Sequence, residues 1–352
     1  MSRAQLTSTV EQNTGGAVSP YVAGKNAIIN GDFSINQRNF TSTTTATAYG
    51  FDRWNLQTDA SAVTYSTQAF TAGTAPVTGY ESTNFARLVT TSQTGVAYGM
   101  LQQKIENVRT FANSTVTVSF WAKAASGTPK IGVAIDQNFG SGGSVAVTTA
   151  STTIPTITTS WVRYSFNVTV PTISGKTIGT SSYLSLNIVC SMTTSYNPPY
   201  PAVGLQNNTF DIWGVQVEAG SVATPFTTAT GTLSGELAAC QRYYFRYTGP
   251  NTYSQWGLGY AKSTTETYIY VKHPITMRVT PTAIDYPTIS NLIVYDGASI
   301  VTANGISYLT SNSGTDQSQI SVSVASGLTQ FRPYSLNANN NASSYIGLSA
   351  EL

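Results

Sequence analysis

At 352 residues the chain is too long for one small hydrophobic core and suits two domains of ordinary size. Its 17 Lys and Arg nearly balance 15 Asp and Glu, and a net charge of +2 offers no electrostatic footprint for nucleic acid or an anionic membrane. Charged residues make up 9%, against roughly 25% in typical soluble domains, so hydroxyls and amides must solvate the surface. No apolar run approaches the roughly 20 residues of a membrane span, so no membrane insertion is expected.

Residues 1–25 show little periodicity and carry a Gly15-Gly16 break and a Ser19-Pro20 step, which predicts an extended arm. Two readings stand for it: a disordered tail, or an anchor that orders when it docks on another protein. It lacks the apolar stretch of a signal peptide, so folding in a cytoplasm is expected.

From Asn26 onward the pattern is strands and turns. Val116, Val118, Phe120 and Ala122 alternate with Thr117, Ser119 and Trp121, the signature of a half-buried strand. Ile131, Val133 and Ile135 form another. Val162, Tyr164, Phe166 and Val168 make a third, and Leu184, Leu186, Ile188 and Cys190 a fourth. Gly, Ser, Thr and Pro clusters separate them, as in residues 140–144 and 196–201, which points to a jelly-roll β-sandwich over residues 26–230. Near its end, Phe210 and Ile212 share one parity and Val215 and Val217 the other, so the period of two slips at Trp213-Gly214 and predicts a β-bulge.

Residues 233–242 are the one helix candidate. Beyond them, Tyr268, Tyr270 and Lys272 alternate with Ile269, Val271 and His273, and Ile320, Val322 and Val324 alternate with serines. A second small β-sandwich over residues 231–352 is the expectation, in an all-β chain without internal repeats.

Little in the chain suggests bond-breaking chemistry. His273 is the sole histidine and precedes Pro274 in what reads as a structural strand, and nothing around Cys240 argues for a reactive thiolate. With Cys190 and Cys240 on different predicted domains, buried free thiols are expected rather than a disulfide. No zinc-protease, phosphate-loop or dinucleotide motif occurs. A glycan-cleaving enzyme needs two facing carboxylates; Asp32, Asp52, Glu81, Glu106, Asp136, Asp211 and Glu218 are available but spacing does not pair them. A non-enzyme is the expectation.

Sugar binding needs aromatic faces with polar rims. Trp54, Trp121, Trp161 and Trp213 fall in strand-like segments and read as core. Tyr196 and Tyr200 in one Pro-rich loop, with Tyr253 and Trp256 in another turn, are the candidate glycan contacts.

Five segments carry a family resemblance. Gln216 to Phe226, reading QVEAGSVATPF, and Cys240 to Tyr244, reading CQRYY, resemble the end of a jelly roll and the start of a fibre-tip domain in bacteriophage virion proteins. Residues 26–38, containing INGDFSINQR, and residues 49–54, YGFDRW, resemble the opening of carbohydrate-binding-module-like jelly rolls in phage tail and head proteins. Pro274, Met277, Arg278, Pro281 and Thr282 match a fibre-tip bend. The resemblance implies a structural subunit of a phage fibre or appendage, homotrimeric, on the virion surface. The arm would hold other virion proteins, and host-surface glycan would be the ligand. Two alternatives stay open: a capsid decoration or head-fibre protein without sugar binding, and a polysaccharide depolymerase. The resemblance also raises a structural calcium where the first strand meets the last, with Asp32 and Asp211 as ligands and carbonyls or waters completing the six to eight oxygens calcium takes.

Overall fold

The computed structural model describes residues 24–59, 62–196 and 198–352. The expected arm lies outside the described residues, except Gly24 and Lys25. The described residues are all-β with one α-helix, and the chain divides into two compact units between Glu236 and Leu237, with Leu352 counted in the first.

The N-terminal unit begins with β1 (Ser42–Thr43), β2 (Trp54–Thr58), β3 (Val63–Ala69) and β4 (Asn84–Thr90). It continues with β5 (Tyr98–Glu106), β6 (Ser114–Ala124), β7 (Gly132–Asn138) and β8 (Val147–Ala150). Three long strands complete it: β9 (Val162–Val170), β10 (Tyr183–Met192) and β11 (Asn208–Ala219). One sheet runs β1-β3-β4-β11-β6-β9 and the other β2-β5-β10-β7-β8, every neighbouring pair antiparallel. The inner faces bury one core of alternating residues, among them Val116, Val118 and Phe120 of β6, Leu186 and Ile188 of β10, and Phe210 and Ile212 of β11.

Strand β6 departs from the half-buried expectation, because Thr117 and Ser119 on its other face are also fully buried. The chain returns across them after β11. Thr117 Oγ1 donates to the Gly220 carbonyl at 2.8 Å, and Arg163 bridges Ser119 Oγ to the Thr224 carbonyl. Glu218 braces this return: Oε1 accepts from the Thr224 N–H at 2.8 Å and from Gln216 Nε2 at 2.7 Å, while Oε2 accepts from Thr224 Oγ1 at 2.7 Å. The run of small residues after Glu218 is therefore a buckled strap held by one buried carboxylate. The predicted slip is present: the β11–β6 register shifts between Trp213 and Gln216, and Gly214 has a φ of 65°.

Helix α1 (Leu233–Gln241) matches the helix candidate and contains the division between the units. The C-terminal unit carries β12 (Tyr244–Thr248), β13 (Gln255–Ala261), β14 (Glu266–Lys272), β15 (Ala283–Asp285) and β16 (Leu292–Tyr295). After them come β17 (Ile300–Leu309), β18 (Gln317–Val324), β19 (Pro333–Ala338) and β20 (Tyr345–Ser349). Where an open sandwich is the sequence expectation, six of these strands close into a barrel in the order β13-β14-β18-β17-β16-β19, and β12-β20-β15 form a separate three-stranded sheet. Closure leaves those six strands without bare edges, which suits a surface with few charges to guard them. Ile269, Val271, Leu292, Ile320, Val322 and Leu336 fill the interior.

A tyrosine-lined sheet face as candidate functional site

Strand β10 sends Leu184, Leu186, Ile188 and Cys190 into the sandwich core, so Ser185, Asn187 and Val189 stand on the opposite face of the five-stranded sheet. The register places Asn187 between Gln102 of β5 and Ala134 of β7, and Ser185 between Lys104 and Asp136. Asn55 of β2 faces Gln102 from the other side. These polar groups form one directed chain. Gln57 Nε2 donates to Asn55 Oδ1 at 2.7 Å and to Gln102 Oε1 at 3.2 Å. Gln102 Nε2 donates to Asn187 Oδ1 at 2.8 Å, and Asn187 Nδ2 donates to Asp136 Oδ2 at 2.8 Å. Ser185 Oγ adds a second bond to the same oxygen at 3.1 Å. Every amide is thereby fixed in orientation, and the half-buried Asp136 carboxylate is where the chain ends.

The loop after β10 lays one of the predicted tyrosines, Tyr200, beside that carboxylate. Tyr200 OH donates to Asp136 Oδ2 at 3.3 Å, and its ring packs with Met100, Val189, Met192 and Val203. Burial raises the Tyr200 phenol well above its ordinary range and the Asp136 charge adds to the effect, so the hydroxyl stays a donor. Tyr196, 37% exposed, meets Tyr98 of β5 edge to face, with centroids 5.5 Å apart and planes at 90°. The close approach of the loop depends on Gly132, where a Cβ would come 2.7 Å from Pro201 Cβ. At the other end of the strip, Lys104 Nζ lies 4.8 Å above the Tyr183 ring, whose hydroxyl accepts from Asn138 Nδ2. The face thus offers the exposed ring of Tyr196 and a half-buried carboxylate, while Asn55, Gln102 and Asn187 are buried beneath and hold that carboxylate in place; ring faces with a carboxylate at their rim suit a pyranose and its hydroxyls.

Sequence reasoning reached Tyr196 and Tyr200 but missed Tyr98, Asp136 and the amide row. Tyr98 opens a strand, where its ring reads as one more alternating side chain. The other predicted pair does not form a platform. Trp256 sits in a bulge of β13 and belongs to the barrel core at 8% exposure, so its ring face is not offered to solvent. It does line a shallow cleft of about 390 Å³ with Tyr247, Pro250 and Lys272. Tyr253 is 50% exposed on the preceding turn and outside that lining.

The two aspartates raised as calcium ligands hold separate partners. Asp211 accepts from Arg87 through both oxygens, at 2.6 and 2.9 Å, with Lys123 Nζ at 3.7 Å. Two cations already neutralise it, and a divalent ion would have to displace them. Asp32 accepts from Ser34 and from Tyr80 OH instead. Among the described residues no three His, Cys, Asp or Glu gather as a metal group.

No family model and no curated protein matches the sequence. Among solved structures the chain is similar to the enzymatically active domain of tailspike protein 4 of bacteriophage CBA120, with 16% identity and a TM-score of 0.33. That match covers 58% of this chain and 22% of the tailspike chain. It is also similar to the CBM22-1 xylan-binding domain of Paenibacillus barcinonensis Xyn10C, with 11% identity, a TM-score of 0.33, and coverage of 57% and 98%. A third is the family 11 carbohydrate-binding module from Clostridium thermocellum, at 12% identity, a TM-score of 0.32, and coverage of 53% and 98%.

Proposed function

We propose that the chain is a non-enzymatic subunit of a phage fibre or appendage that binds host-surface glycan on the tyrosine-lined face of its N-terminal sandwich. The observation that carries the binding is Tyr200 beside Asp136, the end of an amide chain whose hydrogen-bond directions are fixed before any ligand arrives, together with the edge-to-face pair of Tyr98 and Tyr196. Such a surface loses little entropy on binding, yet each sugar buries little area and its hydroxyl contacts replace water. Affinity per site is therefore weak. Three copies per appendage, displayed on the virion and attached through residues 1–25 to other virion proteins, would supply the strength by avidity. The virion assignment rests on the resemblance of residues 216–226 and 240–244 to phage appendage proteins.

Adsorption tests the reading. Fluorescently labelled protein should bind host cells in a saturable way, extracted surface polysaccharide should compete, and Tyr196→Ala should reduce the binding about tenfold while leaving the melting curve unchanged. Normal binding by that variant, or particles that adsorb normally when the protein is removed, would favour a decoration role. Release of reducing ends from the polysaccharide would favour an enzyme.

A further inference from the structure

A second recess in the N-terminal unit has a different chemistry from the tyrosine face. A cleft of about 620 Å³ opens between the turn at Asp32, the segment 77–83 that joins β3 to β4, and the strap and first helical turn from Pro225 to Glu236. Asp32, Glu81 and Glu236 line it, and none of its described lining residues is Lys, Arg or His. Two of these acids are nearly fully buried, Asp32 at 4% and Glu236 at 1% exposure. Neither takes part in a salt bridge among the described residues. Among the described residues their charges are held by neutral donors only. Glu236 accepts from the N–H groups of Asn30 and Thr230, each at 2.7 Å, and from Thr230 Oγ1. Asp32 accepts from Ser34 Oγ at 3.0 Å and from Tyr80 OH at 2.7 Å. Burial raises the Glu236 carboxyl above its ordinary value, with the Asp32 charge a smaller contributor in the same direction. Buried anions without a counterion are costly, and a cation entering the cleft would relieve both.

A separate feature also points to a ligand. Thr227 lines the same cleft and is 5% exposed, yet its Oγ1 meets no hydrogen-bond partner among the described residues. Its N–H donates to Gln216 Oε1 and its carbonyl accepts from Asn26 Nδ2, so the side-chain hydroxyl is the polar group left unpaired. A buried hydroxyl left unpaired costs the fold its desolvation, and a bound group that completes it recovers that loss. The remaining wall mixes the rings of Tyr80 and Phe226 with hydroxyls such as Ser82 and Thr228.

We infer that this cleft binds a hexosamine, a sugar carrying a free ammonium group, with the ammonium directed to Asp32 and Glu236 and the ring hydroxyls met by Thr227 and its neighbours. The buried acids select the positive charge. The hydroxyl-rich, aromatic wall suits a sugar ring better than a bare alkyl amine, and the volume fits a monosaccharide unit. The site is distinct from the tyrosine face, so the two stand or fall separately.

Calorimetric titration of the intact chain tests this directly. Glucosamine should saturate one site, while glucose and N-acetylglucosamine, which lack the ammonium, should bind at least about tenfold more weakly. Asp32→Asn should weaken glucosamine by about tenfold or more. Because Asp32 also braces Tyr80, Thr227→Val provides a second arm: it should weaken glucosamine while keeping or raising the melting temperature, since it removes an unpaired buried hydroxyl. Tyr196→Ala should leave glucosamine binding unchanged, whatever its effect on host glycan. The inference is overturned if glucosamine shows no saturable binding, if glucose binds equally well, or if n-butylammonium matches glucosamine. It is also overturned if calcium binds the cleft and glucosamine does not.

Discussion

Gly214 lies against the indole of Trp121: a Cβ on its backbone would stand 2.7 Å from Trp121 Cε3. The same residue has a φ of 65° and sits where the β11–β6 register shifts. The bulge therefore needs glycine twice, for its backbone and for the ring packed on it. Gly214→Val should destabilise the N-terminal unit by about 1–3 kcal/mol from backbone strain, with ring displacement adding to it. An unchanged thermal melt would mean that the strand can run without the bulge.

Asn26 ties the first described residues to the last strand of the sandwich. Its Nδ2 donates to the carbonyls of Val215 and Thr227, and its Oδ1 accepts from the N–H groups of Ile28 and Val217, all within 3.0 Å and buried. Asn26→Leu keeps the volume but orphans four backbone groups, each worth about 1–3 kcal/mol when left buried and unpaired. A loss of at least about 3 kcal/mol in urea unfolding is the expected outcome. A loss below about 1 kcal/mol would show that water or a local shift replaces the amide.

Much of this architecture was legible because it depends on alternation. The phase slip at Trp213-Gly214, the long strands β6, β9 and β10, and the helix at residues 233–241 each follow from side-chain period or composition over a short window. The site was legible only where a loop announced it, as at Tyr196 and Tyr200. Asp136 looked like any strand carboxylate, and its role comes from a register that sets Ser185 and Asn187 beside it across about fifty positions of sequence. The pairing of Asp211 with Arg87, 124 residues away, could not be read from local sequence, where the family resemblance raised the aspartate as a calcium ligand. Trp256 read as exposed because it follows a turn, while barrel closure, a long-range event, buries it.

His273 makes the C-terminal unit sensitive to mild acid. The ring is buried, with Nδ1 donating to the Thr315 carbonyl and Nε2 accepting from Ser318 Oγ, both at 2.7 Å. Burial holds its pKa below the ordinary 6.5, partly opposed by the Thr315 bond and the Asp316 charge. The unfolded chain then binds a proton that the folded one refuses, so this stability is complete above about pH 6.5 and declines as pH falls toward the folded value. Urea midpoints of the C-terminal unit should drop between about pH 7 and 5.5, and His273→Asn should flatten that slope at the expense of overall stability. A wild-type midpoint constant over this range would contradict the buried neutral imidazole.

Self-association should run through the barrel. Leu258 and Tyr270 are cross-strand partners on the outward face of β13 and β14, exposed by 61% and 37%, with Tyr260 beside them at 37%. Such a patch on a surface poor in charge fits a contact between copies. Light scattering should give a trimer mass for the intact chain, and Leu258→Lys should shift it toward the monomer. A wild-type monomer at micromolar concentration would remove the trimer from the account.

The claim that matters most is that the tyrosine face is built to receive sugar, and its most direct test is a carbohydrate array probed with the intact chain and with Asp136→Asn. The substitution keeps the size of the side chain but removes the charge that orients Asn187, Ser185 and Tyr200, so wild type should retain a discrete set of glycans and the variant should lose them together. Identical array profiles for the two proteins, or no retained glycan with the wild type, would contradict binding on this face.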